Sequence, residues 1–319
     1  MTLRAAVRGI GHYLPERVVE NAEFEDWIDT SDAWIKSRSG IERRHFAADG
    51  EQTSDLAVHA AKAALEDASL DVSDIDAIVV ATSTPDVTFP SVATIVQGKL
   101  GLKSGFAFDV QAVCAGFVFA MANATALIAS EQARRVLVIG AETFSRILNW
   151  EDRTTCVLFG DGAGAVILEA EDSDRGVLAT DLNSDGQYRD LLYVDGGVSS
   201  TQTTGVLVMH GKEVFRHAVE KLAATAETAL EKAGLTASDV AWIVPHQANL
   251  RIIRATSQKL SVPMERVVVT VHNHGNTSAA SIPLALSVAH QEGRFSPGDV
   301  LVMEAIGGGL AWGSVVLKL

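Results

Sequence analysis

The sequence predicts an α/β fold made of two copies of one domain. Two kinds of observation carry this: the strand pattern and an internal repeat. Short Val- and Ile-rich runs that do not alternate in polarity mark buried strands at 75–82, 106–110, 134–141, 240–244, 266–271 and 299–305, with Ala-rich helical stretches between them. Runs of that kind belong to largely parallel sheet covered on both faces. The repeat is plain in AALEDASLDVSDIDAIV (63–79), which matches TALEKAGLTASDVAWIV (228–244) at Ala64, Leu65, Glu66, Ala68, Leu70, Ser73, Asp74, Ile78 and Val79. Further on, KLG…FAFDV (99–110) matches KLS…VVVTV (259–271) at a shift of 160 to 161, and RRVLVIGA (134–141) matches GDVLVMEA (298–305) at 164. Three landmarks in one order at nearly one offset indicate a domain-sized duplication, since solenoid repeats are far shorter. The two halves are expected to pack about a pseudo-twofold axis, divided within EDSDRG (171–176), giving 1–173 and 174–319.

Each element has its own reason. The 319 residues are 47% hydrophobic and 21% charged, an ordinary composition that buries a large core without disulfides or metals. With 26 basic and 40 acidic side chains the formal charge is −14, which argues against general affinity for nucleic acid or anionic membrane. Cys114 and Cys156 are the only cysteines, too few for a disulfide framework and suited to a reducing cytoplasmic setting. The N-terminus has no apolar run before a small-residue cleavage site, so secretion is not expected. The nearly uncharged stretch 112–129 reads as a helix buried on all sides rather than a membrane span.

The residues able to carry chemistry sit at strand and helix ends. Ligands of open α/β sheets bind beyond the carboxyl ends of the strands, and in a duplicated pair those ends converge. Cys114 follows FAFDV and opens a helix. A helix N-terminus favours thiolate, which suits a nucleophile, though a buried inert cysteine reads the same way. Cys156 opens no helix and reads as core. His246 directly follows VAWIV, either at a site or as a satisfied buried imidazole. Asn276 begins the helix that duplicates the one begun by Cys114, displaced by one or two residues, and is equally a good helix cap. His272 and His274 lack further ligands at metal spacing. GDGAGA (160–165) precedes a strand instead of following one, so it is not a dinucleotide fingerprint. GGG (307–309) is either a hairpin turn or a backbone donor site. A thiol, an imidazole, a carboxamide and a Gly-rich backbone together suit acyl transfer through a thioester.

QAVCAGFVFAM, LFGDGAGA, PHQANLRII, HGNTSAAS and GGGLAWGS resemble the β-ketoacyl-acyl-carrier-protein synthase III family, with the likeness running from residue 9 to the C-terminus. The resemblance implies the thiolase fold, a five-layered αβαβα architecture, and a cytoplasmic homodimer that starts fatty-acid synthesis from acyl-coenzyme A and malonyl-acyl carrier protein. It implies no metal or other cofactor, coenzyme A thioester being a substrate. It puts catalysis on Cys114, His246 and Asn276, and an oxyanion hole on the N–H groups of Cys114 and Gly308. Trp34, Arg38, Arg153, Asn249 and Phe215 would bind coenzyme A, and Phe89, Phe159, Leu191 and Met209 would form the acyl pocket, Phe89 from across the dimer. Residues 240–264 hold no acid, and Arg251, Arg254 and Lys259 there, joined by Arg216, form a candidate carrier-protein patch. Ile306 departs from the usual Phe, small residues often stand where Gln111, Ala112 and Val113 do, and loop 194–205 follows no recognised pattern. A ketosynthase of secondary metabolism would carry the same triad. A degradative thiolase needs a second cysteine near GGG, an elongating ketosynthase a second histidine at position 276, and a papain-like hydrolase a different signature around the cysteine.

Overall fold

The computed structural model describes residues 3–319. The first half runs β1 (Leu3–Tyr13), β2 (Arg17–Glu20), α1 (Asp32–Ser39), β3 (Arg43–Phe46), α2 (Thr53–Ala68), β4 (Ala77–Ala81), α3 (Val92–Leu100), β5 (Phe106–Val110), α4 (Gly116–Ala129), β6 (Arg135–Glu142) and β7 (Gly162–Asp172). The second runs β8 (Gly176–Ser184), β9 (Leu192–Val194), β10 (Leu207–Met209), α5 (Gly211–Lys232), β11 (Trp242–Pro245), α6 (Leu250–Lys259), α7 (Val271–His274), α8 (Ser281–Gln291), β12 (Val300–Gly307) and β13 (Ala311–Lys318).

The two main sheets have the orders β1-β7-β6-β4-β5 and β8-β13-β12-β11. Side chains alternate across each strand, and so divide the core into layers. Ala77, Val79 and Ala81 of β4 pack with Phe117, Met121 and Ile128 of α4 and with Leu286 of α8. Ile78 and Val80 face the opposite way, toward α2 and α3. In the second sheet Leu301, Met303 and Ala305 join the same central cluster, while Val302 packs with Ala226 and Leu230 of α5 and Ile253 of α6. The result is five layers: α2 and α3, a sheet, α4 and α8, a sheet, α5 and α6.

The register shows the duplication directly. Ala77 lies opposite Val136 in one sheet and Trp242 opposite Leu301 in the other, each position 165 residues after its counterpart. That corrects the 164-residue match of RRVLVIGA to GDVLVMEA by one residue. The sheets are also mixed rather than largely parallel. β4 pairs in parallel with β5 and β6, and β11 with β12. β7 runs antiparallel to β1 and β6, and β13 to β8 and β12, because β7 and β13 return beside β6 and β12.

Two further expectations change. Residues 266–271 form no strand but a single bridge, Ile243 to Val267. The Gln247 side-chain oxygen accepts from the N–H groups of Thr270 (2.8 Å) and Val271 (3.1 Å), which turns the chain into α7. The helix in 112–129 is α4, and Asn123, Ala126 and Ala129 expose one face of it, so it is not buried on all sides. Among the described residues no helix is long and apolar enough to cross a membrane.

Glycines let the layers touch. A Cβ on Gly140 would lie 2.2 Å from the Ala279 carbonyl oxygen, and one on Gly164 would lie 2.6 Å from the Leu284 nitrogen. GDGAGA is therefore a helix-packing surface at the start of β7. Gly140→Ala is expected to destabilise the protein by about 1–3 kcal/mol, as overpacking does. The urea midpoint measures it, and an unchanged midpoint would show that the layers have room to slide.

Candidate active site

Two short 3-10 turns meet where the halves join: Val113–Ala115 before α4, and Ser278–Ala280 before α8. Val113 and Ser278, 165 residues apart, both have φ of 49°. A side chain in that left-handed region costs about 1–3 kcal/mol and persists only where its surroundings enforce it. By this equivalence Cys114 matches Ala279, so Asn276 is displaced from the nucleophile's counterpart by three residues, not one or two.

Cys114 is 4% exposed. Burial pushes its thiol up to about 12, and the buried Glu142 carboxylate adds to this. The direction is opposite to the lowering expected at a helix start, and its first cause is loss of water. A Cβ on Gly307 would lie 2.7 Å from the Cys114 nitrogen, so the tail of β12 passes directly over that N–H. Gly308, the predicted oxyanion donor, is the next residue, and its Cβ position lies 2.5 Å from the Leu192 carbonyl oxygen.

His246 leaves the end of β11 with its N–H bonded to the Glu304 carbonyl at 2.8 Å. Burial lowers its pKa to about 3, so the ring is neutral. Nδ1 lies 2.6 Å from the Ser281 Oγ. The Asn276 Oδ1 accepts from the Ser278 N–H at 2.9 Å, which turns its amide NH2 outward as a donor. Its backbone is tied to Leu158 and Gly160.

Cys114, His246 and Asn276 line one cavity of about 540 Å³. Phe159, Met209 and Phe215 are also on its wall, with Trp34, Arg38 and Asn249. Leu191 is not; it ends the 3-10 turn Gly186–Leu191 and packs behind the wall residues Ala218, Leu222 and Ile306, while the neighbouring Leu192, at the start of β9, is on the wall. The loop without a recognised pattern joins β9 to β10, and this hairpin delivers Leu192 and Met209 to the wall. Phe89 stands 83% exposed, outside the cavity of the single chain.

Asn249 caps α6, accepting from the Arg251 N–H at 2.8 Å and donating to the Arg38 carbonyl at 3.1 Å. The Arg38 and Arg153 guanidinium carbons lie 6.0 and 5.3 Å from the Trp34 ring centre. Arg153 is off the wall and pairs with Asp29 at 3.2 Å. Arg251 is on the wall over Phe215, whereas the exposed Arg216, Arg254 and Lys259 are not. Among the described residues none of Arg38, Lys212, Arg216, Arg251, Arg254 and Lys259 makes an ion pair. Sequence reasoning missed Lys212, on the wall at the start of α5, and Gln247 and Ser281, which hold the site from behind. The PHQ and SAAS motifs contained the last two, but nothing in the spacing singled them out. Among the described residues no group of three or more His, Cys, Asp or Glu side chains could hold a metal.

The family model for 3-oxoacyl-acyl-carrier-protein (ACP) synthase III matches residues 108–186, and that for its C terminal matches 230–319. The chain is similar to the beta-ketoacyl-acyl-carrier-protein synthase III of Dinoroseobacter shibae, 71% identical over the whole of both chains. It is also similar to the crystal structure of 3-oxoacyl-acyl-carrier-protein synthase III from Aquifex aeolicus, at 44% identity and a TM-score of 0.95, covering 99% of this chain and 100% of that one. The priming β-ketosynthase of a polyketide biosynthetic pathway is less similar, at 37% identity and a TM-score of 0.94, covering 100% and 98%.

The raised thiol has a direct consequence. Alkylation of Cys114 in the substrate-free protein is expected to keep rising about tenfold per pH unit through pH 9, because only thiolate reacts. Stopped-time mass spectrometry measures it, and a plateau near pH 7 would mean the thiol is already ionised.

Proposed function

Because the chain belongs to the 3-oxoacyl-acyl-carrier-protein synthase III family, we propose that Cys114, His246 and Asn276 carry its condensation in the shared cavity. The protein is an acyltransferase of fatty-acid biosynthesis that condenses a short acyl-coenzyme A with malonyl-acyl carrier protein. The observation that supports the assignment of roles is the convergence of one thiol, one imidazole and one carboxamide on one cavity.

The Cys114 sulfur attacks the acyl-coenzyme A carbonyl, and its proton leaves with the sulfur of coenzyme A. Burial raises the thiol and lowers the imidazole, and both shifts disfavour a standing ion pair, so proton loss accompanies attack. The N–H groups of Cys114 and Gly308 stabilise the oxyanion, each by a few kcal/mol. Malonyl-acyl carrier protein then loses carbon dioxide, and its thioester oxygen takes up the developing enolate charge against His246 and Asn276. The enolate carbon attacks acyl-Cys114, the carbon–sulfur bond breaks, and the released sulfur takes up a proton from solvent. These steps use no metal or redox group.

Trp34, Arg38 and Arg153 would hold the base of coenzyme A. The 5.3 Å gap leaves no room for a planar ring between Arg153 and Trp34, so Arg153 swings out as it enters. Asn249 and Phe215 line the pantetheine path, and Phe159, Leu192 and Met209 line the acyl end. The unpaired Arg251 and Lys212 at the cavity, with Arg216, Arg254 and Lys259 beside it, suit an acidic carrier protein. The same reading makes the protein a cytoplasmic homodimer with Phe89 crossing to the partner, and divides the chain at 173/174 into two halves.

Cys114→Ser should take up no acyl group from acyl-coenzyme A, whereas His246→Ala and Asn276→Ala should acylate yet condense about a hundredfold more slowly. Intact-protein mass spectrometry after exposure to a panel of acyl-coenzyme A thioesters reads the first step and names the primer. Normal condensation by Cys114→Ser would end the assignment. Arg251→Glu should raise the KM for malonyl-acyl carrier protein about fivefold while leaving that for acyl-coenzyme A less changed. Equal effects on both would remove the docking patch.

A further inference from the structure

Behind His246 lies a hydroxyl that no step above uses. Ser281 is 1% exposed in the first turn of α8. Its Oγ lies 2.6 Å from the His246 Nδ1 and accepts from the Gln247 N–H at 3.3 Å. A buried hydroxyl carries one proton, and that proton needs an acceptor. The Gln247 N–H is a donor and cannot serve. Among the described residues the acceptor within hydrogen-bonding reach is Nδ1.

We infer that Ser281 is a positioning residue for condensation: its O–H donates to Nδ1 and holds His246 as the neutral Nε2–H tautomer, so that the ring presents a donor to the cavity. A ring so held has no lone pair at Nε2 with which to take the Cys114 proton. It serves the enolate, and the proton departs with coenzyme A.

The duplication supplies an internal comparison. The positions 165 residues before His246 and Ser281 are Ala81 and Gly116. Those two also touch, since a Cβ on Gly116 would lie 3.1 Å from the Ala81 Cβ. The fold therefore brings this pair of positions together in both halves, and only the second half fills them with an imidazole and a hydroxyl.

The inference rests on the proposed roles, and the test keeps the two apart. Nitrogen-15 NMR of histidine-labelled wild-type protein, with His246 assigned by its loss in His246→Gln, should show Nδ1 unprotonated and Nε2 protonated from pH 6 to 8. A protonated Nδ1 would overturn the inference whatever the enzyme's activity. In Ser281→Ala, condensation should fall about tenfold relative to Cys114 acylation, the fold-change of one lost hydrogen bond, and Ser281→Thr should restore it. Equal loss of both steps, or condensation at the wild-type rate, would also overturn it. Absence of Cys114 acylation in the wild type would instead refute the proposed function and leave the tautomer measurement standing.

Discussion

The turns Val113–Ala115 and Ser278–Ala280 press against each other at the centre of the molecule, and the site exists because they do. The Gly116 Cβ position lies 3.4 Å from the Ala279 Cβ, Gly140 passes the Ala279 carbonyl, and Gly307 passes the Cys114 N–H. The last two leave no room for a side chain, and all three bring backbone of one half against the turn of the other that carries Cys114 or Ser278. The strained φ at Val113 and Ser278 is what this packing sustains. Both turns head helices of the shared central layer, so the layer that stabilises the fold also aims the chemistry.

Burial then sets the charge states. The interior end of the cavity holds a neutral thiol, a neutral imidazole and a carboxamide whose oxygen is already engaged. Under the proposed roles stabilisation there comes from fixed dipoles, because isolated ions are costly in a buried site. The charges sit outward, where Arg38, Lys212 and Arg251 line the cavity without a carboxylate partner among the described residues. A chain with net charge −14 thus keeps one locally cationic entrance, and the division into a polar, uncharged depth and a charged approach follows from the cost of desolvation.

Several features of the site were legible along the chain because their signals are local. Cys114, His246 and Asn276 stand at ends of elements whose hydrophobic patterns are strong, and the repeat says those ends face each other. Other features were not. Leu191 and Leu192 are equally apolar, and only the point where the 3-10 turn gives way to β9 decides which one is on the cavity wall. The run 266–271 has the composition of a strand, but one glutamine side chain ends its pairing. α4 reads as a nearly uncharged helix buried on all sides, yet it keeps an open face at Asn123, Ala126 and Ala129.

By itself the sequence determined the α/β class, the duplication, the positions of most central strands, and which thiol, imidazole and amide stand at converging ends. Periodicity and internal repetition are written residue by residue, so they need no third dimension. The tertiary structure alone decided the one-residue register between halves, the mixed direction of the sheets, the raised thiol and the hydroxyl behind His246. These depend on close contact and loss of water between segments more than a hundred residues apart in some cases, and no local pattern in the chain records such sums.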